Sequence, residues 1–313
     1  MAYQRISAHA ADVLLSHWLE DPHAIQIREF SESLADKFTR RTRQVKPEHE
    51  SWEIYLSYAK KFLGRLSLSL PQGTSAPTTI ARLENPVWWR KQLFRSLTRN
   101  IDQLARLHGS VHQRREIYLS DEALLRYLRR AAANEDFLSS MEAVSSHGNK
   151  VSLSELADHS LSKAENRRAE YMVRSRGIEE RAADLGYVPL FVTFTSPSKY
   201  HCRHFSGQPN TKWVGATPKQ VQHDYFGKTW AQIRAALARN QIAYLGVRIV
   251  EPHHDGTPHW HMLLYVVPTL KDLLISIIKD KALEEDGNEP GAQKKRVEIV
   301  EIDPTKGSAT GYV

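Results

Sequence analysis

Two strand-like runs, 242–250 and 258–267, flank a short stretch of turn-forming residues, and this arrangement constrains the fold more than any other feature of the chain. Both runs are rich in β-branched and aromatic residues, and Pro252, Gly256 and Pro258 punctuate what lies between them. The pattern predicts a hairpin whose tip is 253–257, with Pro252 facing Pro258 and Glu251 facing His259. In a strand, residues two apart share a face, so His259 and His261 project together. Directly opposed side chains lie about 5 Å apart at Cβ, which brings Glu251 to the two imidazoles. One carboxylate and two imidazoles suit a divalent ion such as Mg²⁺ or Mn²⁺. The inference depends on register, because a slip of one residue turns Glu251 to the other face. A His-x-His pair by itself is more often an ordinary strand pair; the carboxylate across the hairpin is what favours a metal site. His253 and His254 fall in the tip and are expected to be solvated.

The block Glu251-Pro252-His253-His254-Asp255-Gly256-Thr257-Pro258-His259-Trp260-His261 resembles the HUH endonucleases, in particular the phage replication endonucleases similar to the gene A replication initiators. Phe191-Val192-Thr193-Phe194-Thr195-Ser196-Pro197-Ser198 resembles that family's first motif, a strand beside the His-bearing one. Asn85-Pro86-Val87-Trp88-Trp89-Arg90 resembles a segment upstream of the nuclease domain. The resemblance covers residues 80 to 313. It implies an α+β nuclease domain, a central antiparallel sheet with flanking helices, preceded by a mainly helical N-terminal region. It further implies a metal-dependent, site-specific nickase acting on single-stranded DNA at a replication origin. Cutting would leave a 5′-phosphotyrosine and a free 3′-hydroxyl that primes rolling-circle synthesis. A host replication helicase is a candidate second partner.

The matching nucleophile is Tyr312, within Gly307-Ser308-Ala309-Thr310-Gly311-Tyr312-Val313. In this phage group two tyrosines stand four residues apart on one helix face. Tyr312 matches the first, and the sequence stops at Val313, before the second; a longer parent protein is therefore expected. Tyrosine, with a pKa near 10, is a weak nucleophile at neutral pH and needs a base or a more electrophilic phosphate. A divalent ion on Glu251, His259 and His261 would serve the second route, with coordination positions left for the phosphate. Without the resemblance, Tyr312 reads as an ordinary helix-end aromatic. The alternatives are a catalytically incomplete DNA-binding fragment, a relaxase- or transposase-type HUH protein, and a metal-binding structural protein.

The formal net charge of +7 favours a polyanionic partner. Its source is local: residues 86–130 hold ten basic against four acidic side chains. Lys91, Arg95 and Arg99 repeat every four residues, away from the apolar spacing of Leu93, Leu97, Ile101 and Leu104. Arg95 and Arg99 are thus candidate phosphate contacts, or part of a solvated face. Lys199, Tyr200, Arg203 and Trp213 interleave aromatic and cationic groups as single-stranded DNA requires, or line an ordinary loop.

A length of 313 residues suggests at least two domains. The reading is a helical region over 1–70, carrying Val13, Leu14, Trp18 and Leu19, a linker over 71–79, a helical basic region over 80–185 and the nuclease domain over 186–313. One cysteine, Cys202, excludes a disulfide framework and a cysteine-rich zinc site. No signal peptide and no apolar run of about 18 residues is present, so a soluble protein of the bacterial host cytoplasm is expected, with no membrane partner. Helices are predicted over 153–176, with a stop at Leu185-Gly186, over 217–240 behind a Thr217/Gln220 capping box, and over 269–284. Strands are predicted over 188–195 and 294–302, with a tyrosine helix beginning at Asp303-Pro304-Thr305.

Overall fold

The computed structural model describes residues 22–44, 52–66 and 68–312. The helical reading of Val13, Leu14, Trp18 and Leu19 lies outside them. The chain forms two compact units, Met1–Ile101 and Asp102–Val313.

The first unit holds α1 (Pro22–Gln44), α2 (Trp52–Gly64), α3 (Ala76–Leu83) and the opening turns of α4 (Pro86–His108). Its core is aromatic and aliphatic: Phe38, Leu63, Leu83 and Trp89 are fully buried and Tyr58 and Phe62 pack against them. The Pro/Gly/Ser/Thr stretch at 71–79 runs into α3, with Ser75 as N-cap and Thr79 and Ile80 turned inward. Asn85-Pro86-Val87-Trp88-Trp89 is the start of α4. Asn85 accepts from the Val87 N–H at 2.8 Å, Pro86 fills the first turn where no donor is needed, and the Trp89 indole donates to Leu83 O at 2.7 Å.

The second unit begins with the end of α4, then α5 (Asp121–Ser140), a hairpin of β1 (Glu142–Val144) and β2 (Lys150–Ser152), α6 (Leu153–Asp158) and α7 (Ala164–Asp184). The single helix expected over 153–176 is therefore two. Ser160 and Asn166 supply the reason: the Ser160 hydroxyl accepts from the Ser162 N–H at 3.0 Å, and the Asn166 amide donates to Asp158 O and Ser160 O at 2.6 and 3.0 Å, competing with helical bonding. The hairpin was also unforeseen; Gly148, at φ 83°, makes its turn. α7 stops at Gly186, φ 66°, where the Tyr187 N–H returns to Ala182 O.

A four-stranded antiparallel sheet follows, in the order β4-β5-β3-β6, built from β3 (Val188–Phe194), β4 (Tyr244–Pro252), β5 (Pro258–Val266) and β6 (Val297–Glu301). The β4–β5 register sets Glu251 against His259 and Pro252 against Pro258, as the tip length requires. One sheet face carries Leu190, Val192, Phe194, Trp260, Met262 and Leu264 into the main core, under α8 (Lys228–Arg239) and α9 (Lys271–Leu283). The Thr217/Gln220 capping box is present, and a π-helical turn, Val221–Gly227, then brings Val221, Tyr225 and Phe226 into that core. The opposite face carries Leu263 and Tyr265, packed with Ala182 of α7 and with Ala309.

Two expectations at the C-terminal end need correction. Residues 294–295 finish a short helix, α10 (Ala292–Lys295), started by Gly291 at φ 85°, so the strand begins only at Val297. The tyrosine segment is not one helix but two 3₁₀ turns, Pro304–Lys306 and Ala309–Tyr312, parted by Gly307 at φ 149°, a conformation outside any helix.

Arg106, fully buried at the end of α4, anchors the hairpin tip: Nε donates to Asp255 O at 2.8 Å and Nη2 to Thr257 Oγ1 at 3.1 Å. Charge-assisted bonds are worth about 1.5–3 kcal/mol each. Arg106→Leu should therefore lower the unfolding free energy of this unit by roughly 3 kcal/mol, read from urea unfolding followed by tryptophan fluorescence. An unchanged midpoint would show that the tip is held by other contacts.

Candidate metal and tyrosine site

His259 and His261 project from the α7-side face of β5, their ring centroids 4.6 Å apart. Trp260 between them points the other way, stacks on Phe226 at 4.9 Å and donates its indole N–H to Gln222, which fixes the rotation of the strand. Across β4, Glu251 Oε2 lies 3.5 Å from His261 Nε2. Behind the imidazoles, β3 and the residue just after it offer hydroxyls two apart: Thr193 Oγ1 shares a hydrogen bond with His261 Nδ1 at 3.2 Å, and Thr195 Oγ1 with His259 Nδ1 at 3.4 Å. These partners orient both rings and leave the Nε2 atoms as the available ligand atoms. Phe191 stacks on His261 at 5.3 Å. Burial, helped by the neighbouring His261 and His201, pushes the His259 pKa down to about 4, so its imidazole is neutral at pH 7 as a ligand must be. Glu251, exposed to solvent, adds a carboxylate to the two imidazoles, the kind of donor set a divalent ion takes, although here the three residues do not bring one ligand atom each within 4.8 Å of one another.

The tip differs from its expected solvated state. His254 is buried and His253 half-buried, and the Nδ1 atoms of both are buried without a hydrogen-bond partner. The cause is Asp255, which has no exposure and draws the tip onto the loop after β3 by accepting from the Cys202 N–H at 3.0 Å and the Thr257 N–H at 3.1 Å. Burial opposes ionisation of Asp255, yet the His201 hydrogen bond and the nearby Arg106 hold its carboxyl well below the usual range. Burial, with His201 and His254, brings His253 down to about 3.

The turn Ala309–Tyr312 packs on the same face through Ala309, beside Leu263 and Tyr265, two and four residues along β5 from His261. Glu179 of α7 holds this segment. Its carboxylate accepts from the Ala309 N–H at 2.8 Å, the Thr310 N–H at 3.3 Å, and the Ser308 and Thr310 hydroxyls at 2.6 Å each. Burial opposes its ionisation, but these hydrogen bonds prevail and lower its pKa.

The candidate DNA contacts scatter. Lys199 pairs with Glu285 and Asp286 at 2.9 and 2.8 Å, and the Tyr200 hydroxyl donates to Glu285 at 2.6 Å, so both are engaged by the acidic turn. Arg203 donates to Leu107 O at 2.8 Å, and the Trp213 indole nitrogen is buried. Arg95 and Arg99 are exposed on α4 within the first unit. Thr193 and Thr195 escaped the sequence reading although their own period of two beside His-x-His was a signal. Glu179, a glutamate on a charged helix, carried none.

Among the described residues no helix is long and apolar enough to cross a membrane. Residues 26–313 match the family described as bacteriophage replication gene A protein (GPA). The replication gene A protein of Escherichia phage 186 is 41% identical over 237 residues, covering 75% of this chain and 34% of that protein. The replication protein of Haemophilus phage HP1 is 39% identical over 238 residues, 75% of this chain and 30% of its own length. A probable replication endonuclease from a prophage-like region of Salmonella paratyphi A is 31% identical over 238 residues, 76% and 30% of the two chains. The chain thus spans about a third of the length of these relatives. No solved structure matches it.

Replacing Glu179 by alanine removes the acceptor for the Ala309 and Thr310 amides. Their hydrogen exchange should accelerate by roughly tenfold or more, the equivalent of one lost charge-assisted bond, while amides of β5 keep their rates. Unchanged exchange at 309 and 310 would mean the turn is held without Glu179.

Proposed function

The chain belongs to the bacteriophage replication gene A protein family, and on that premise we propose that it carries the site-specific single-strand endonuclease of a phage replication initiator. In this reading residues 186–313 are the HUH nuclease domain, and the substrate is single-stranded DNA at a replication origin in the host cytoplasm. Glu251, His259 and His261 hold a divalent cation, Mg²⁺ or Mn²⁺. When bound, such an ion withdraws charge from the non-bridging oxygens of the scissile phosphate.

The chain's own residues do the rest. Thr193 and Thr195 keep the imidazoles aimed; Glu251 supplies the exposed, charged ligand. The Tyr312 hydroxyl gives its proton to solvent as its oxygen attacks phosphorus; the new oxygen–phosphorus bond forms as the bond to the 3′-oxygen breaks, and the departing 3′-oxygen takes a proton from solvent. The product is a 5′-phosphotyrosine, whose phosphodiester energy is conserved for rejoining, and a 3′-hydroxyl for rolling-circle synthesis. The observation that carries this reading is the shared sheet face: Glu251, His259 and His261 stand on it, and the backbone turn bearing Tyr312 packs on it through Ala309.

The test incubates the chain with labelled, sequence-randomised single-stranded DNA and Mn²⁺ and looks on a denaturing gel for label moving with protein. An adduct is expected in wild type and lost with EDTA, with Tyr312→Phe and with His261→Ala. An adduct that persists in Tyr312→Phe would remove the nucleophile from this reading. Retained DNA and Mn²⁺ binding with no adduct in any lane would replace it with a DNA-binding fragment.

A further inference from the structure

We propose that His201, His253 and Asp255 form a second cation site, of the Zn²⁺ class, which clamps the hairpin tip to the loop following β3. This site shares no ligand with Glu251, His259 and His261, and it does not depend on the endonuclease reading.

One ligand atom from each of the three residues lies within 4.8 Å of the other two, the one such group among the described residues. Two of the three are held in place before any ion arrives. Asp255, without solvent exposure, has its oxygens fixed by the Cys202 and Thr257 amides. His201 is fixed by Ser196 Oγ, 3.2 Å from Nε2, and by Asp255 Oδ1, 3.3 Å from Nδ1. The second of these distances is long for a charge-assisted hydrogen bond, where about 2.7–2.9 Å is usual. It falls, however, at the edge length between two ligands of a tetrahedral zinc ion: bonds of about 2.0–2.2 Å at the tetrahedral angle span about 3.3–3.6 Å.

His253 supplies the independent sign of a missing partner. Its ring is 5.0 Å from that of His201, and its Nδ1 is buried with no hydrogen bond. A buried polar nitrogen left in this state is costly, and a metal bond relieves it. His254, its ring 4.3 Å from that of His253 and 6.4 Å from that of His201, likewise has its Nδ1 buried and unpartnered. Two imidazoles and a carboxylate are donors that Zn²⁺ and Co²⁺ take readily, and what separates this set from the one with the exposed Glu251 carboxylate is its burial, which describes a closed, structural site.

The experiment uses the whole chain, stripped of metal, with Co²⁺ as the spectroscopic probe and Zn²⁺ followed by calorimetry and thermal melting. In the His259→Ala/His261→Ala double variant, one equivalent of Co²⁺ should still bind with the strong visible bands of tetrahedral coordination, and Zn²⁺ should still raise the melting temperature. His253→Gln and, independently, His201→Asn should abolish both responses in that background, with circular dichroism reporting that each variant is folded. Bands that survive either substitution would overturn the proposal, as would Co²⁺ binding that vanishes entirely in the double variant. Neither result touches adduct formation with Mn²⁺, so a failure here is separable from a failure of the nuclease reading.

Discussion

The pairing of Glu251 with His259 across β4 and β5 is the constraint on which the site depends. Side chains in a sheet alternate with a period of two, so one residue of slip between the strands would turn Glu251 to the face opposite His259 and His261. The tip prevents it by two means. Its five residues end against Pro252 and Pro258, and the His253 N–H bonds to Thr257 O at 2.7 Å, closing the loop. Gly256, at φ 76°, takes the left-handed conformation that the closure needs, with Tyr118 O near enough to crowd a side chain there. Asp255 and Arg106 then tie the tip to the loop after β3 and to α4, so the register is held from outside the sheet as well as within it.

That register separates two tasks between the faces of one strand. Met262, Leu264 and Val266 join Trp260 on the core side, where Arg248 also lies 3.9 Å from the Trp260 ring. The anchoring is expensive to disturb: a buried tryptophan with its N–H satisfied costs about 3–5 kcal/mol to truncate. The imidazoles on either side inherit that rigidity. The proposed metal site would need it, because a ligand set of two rings and one flexible carboxylate binds an ion well only if most of the ordering has already been met by the fold.

How much of this was legible in the sequence follows from how local each cause is. The hairpin, its tip and the Glu251–His259 pairing were readable because Pro252, Gly256, Pro258 and the alternation of β5 are neighbours in the chain. The Thr217/Gln220 cap and the α7 stop at Gly186 are local too, and both are present. The burial of His253 and His254 was not readable. It comes from Asp255 meeting the Cys202 amide, a contact across 53 positions. The hairpin of β1 and β2 was missed because its strands are three residues each, too short to show a period. The engagement of Lys199 and Tyr200 by Glu285 and Asp286 was hidden for the same reason as Asp255: the partners lie far apart in sequence.

The tyrosine segment makes the distinction sharpest. Sequence pattern alone called for a helix from Asp303, since Asp-Pro-Thr is a good helix start; Asp303 does accept from the Thr305 N–H at 3.0 Å. Gly307 ends that start, and nothing within the segment supplies an N-cap of the usual kind for the turn at Ala309. Glu179 performs that service from another element. Its carboxylate meets the first free N–H groups of the turn, as an Asp or Ser at the N-cap would, and places negative charge where the helix dipole favours it. Because Ala182, one turn further along α7, packs with Leu263 and Tyr265 of β5, the same helix that caps the turn is seated on the strand that carries His259 and His261. The position of the proposed nucleophile is thereby tied to the proposed metal ligands through α7 rather than through the intervening chain, which runs over β6 and two turns.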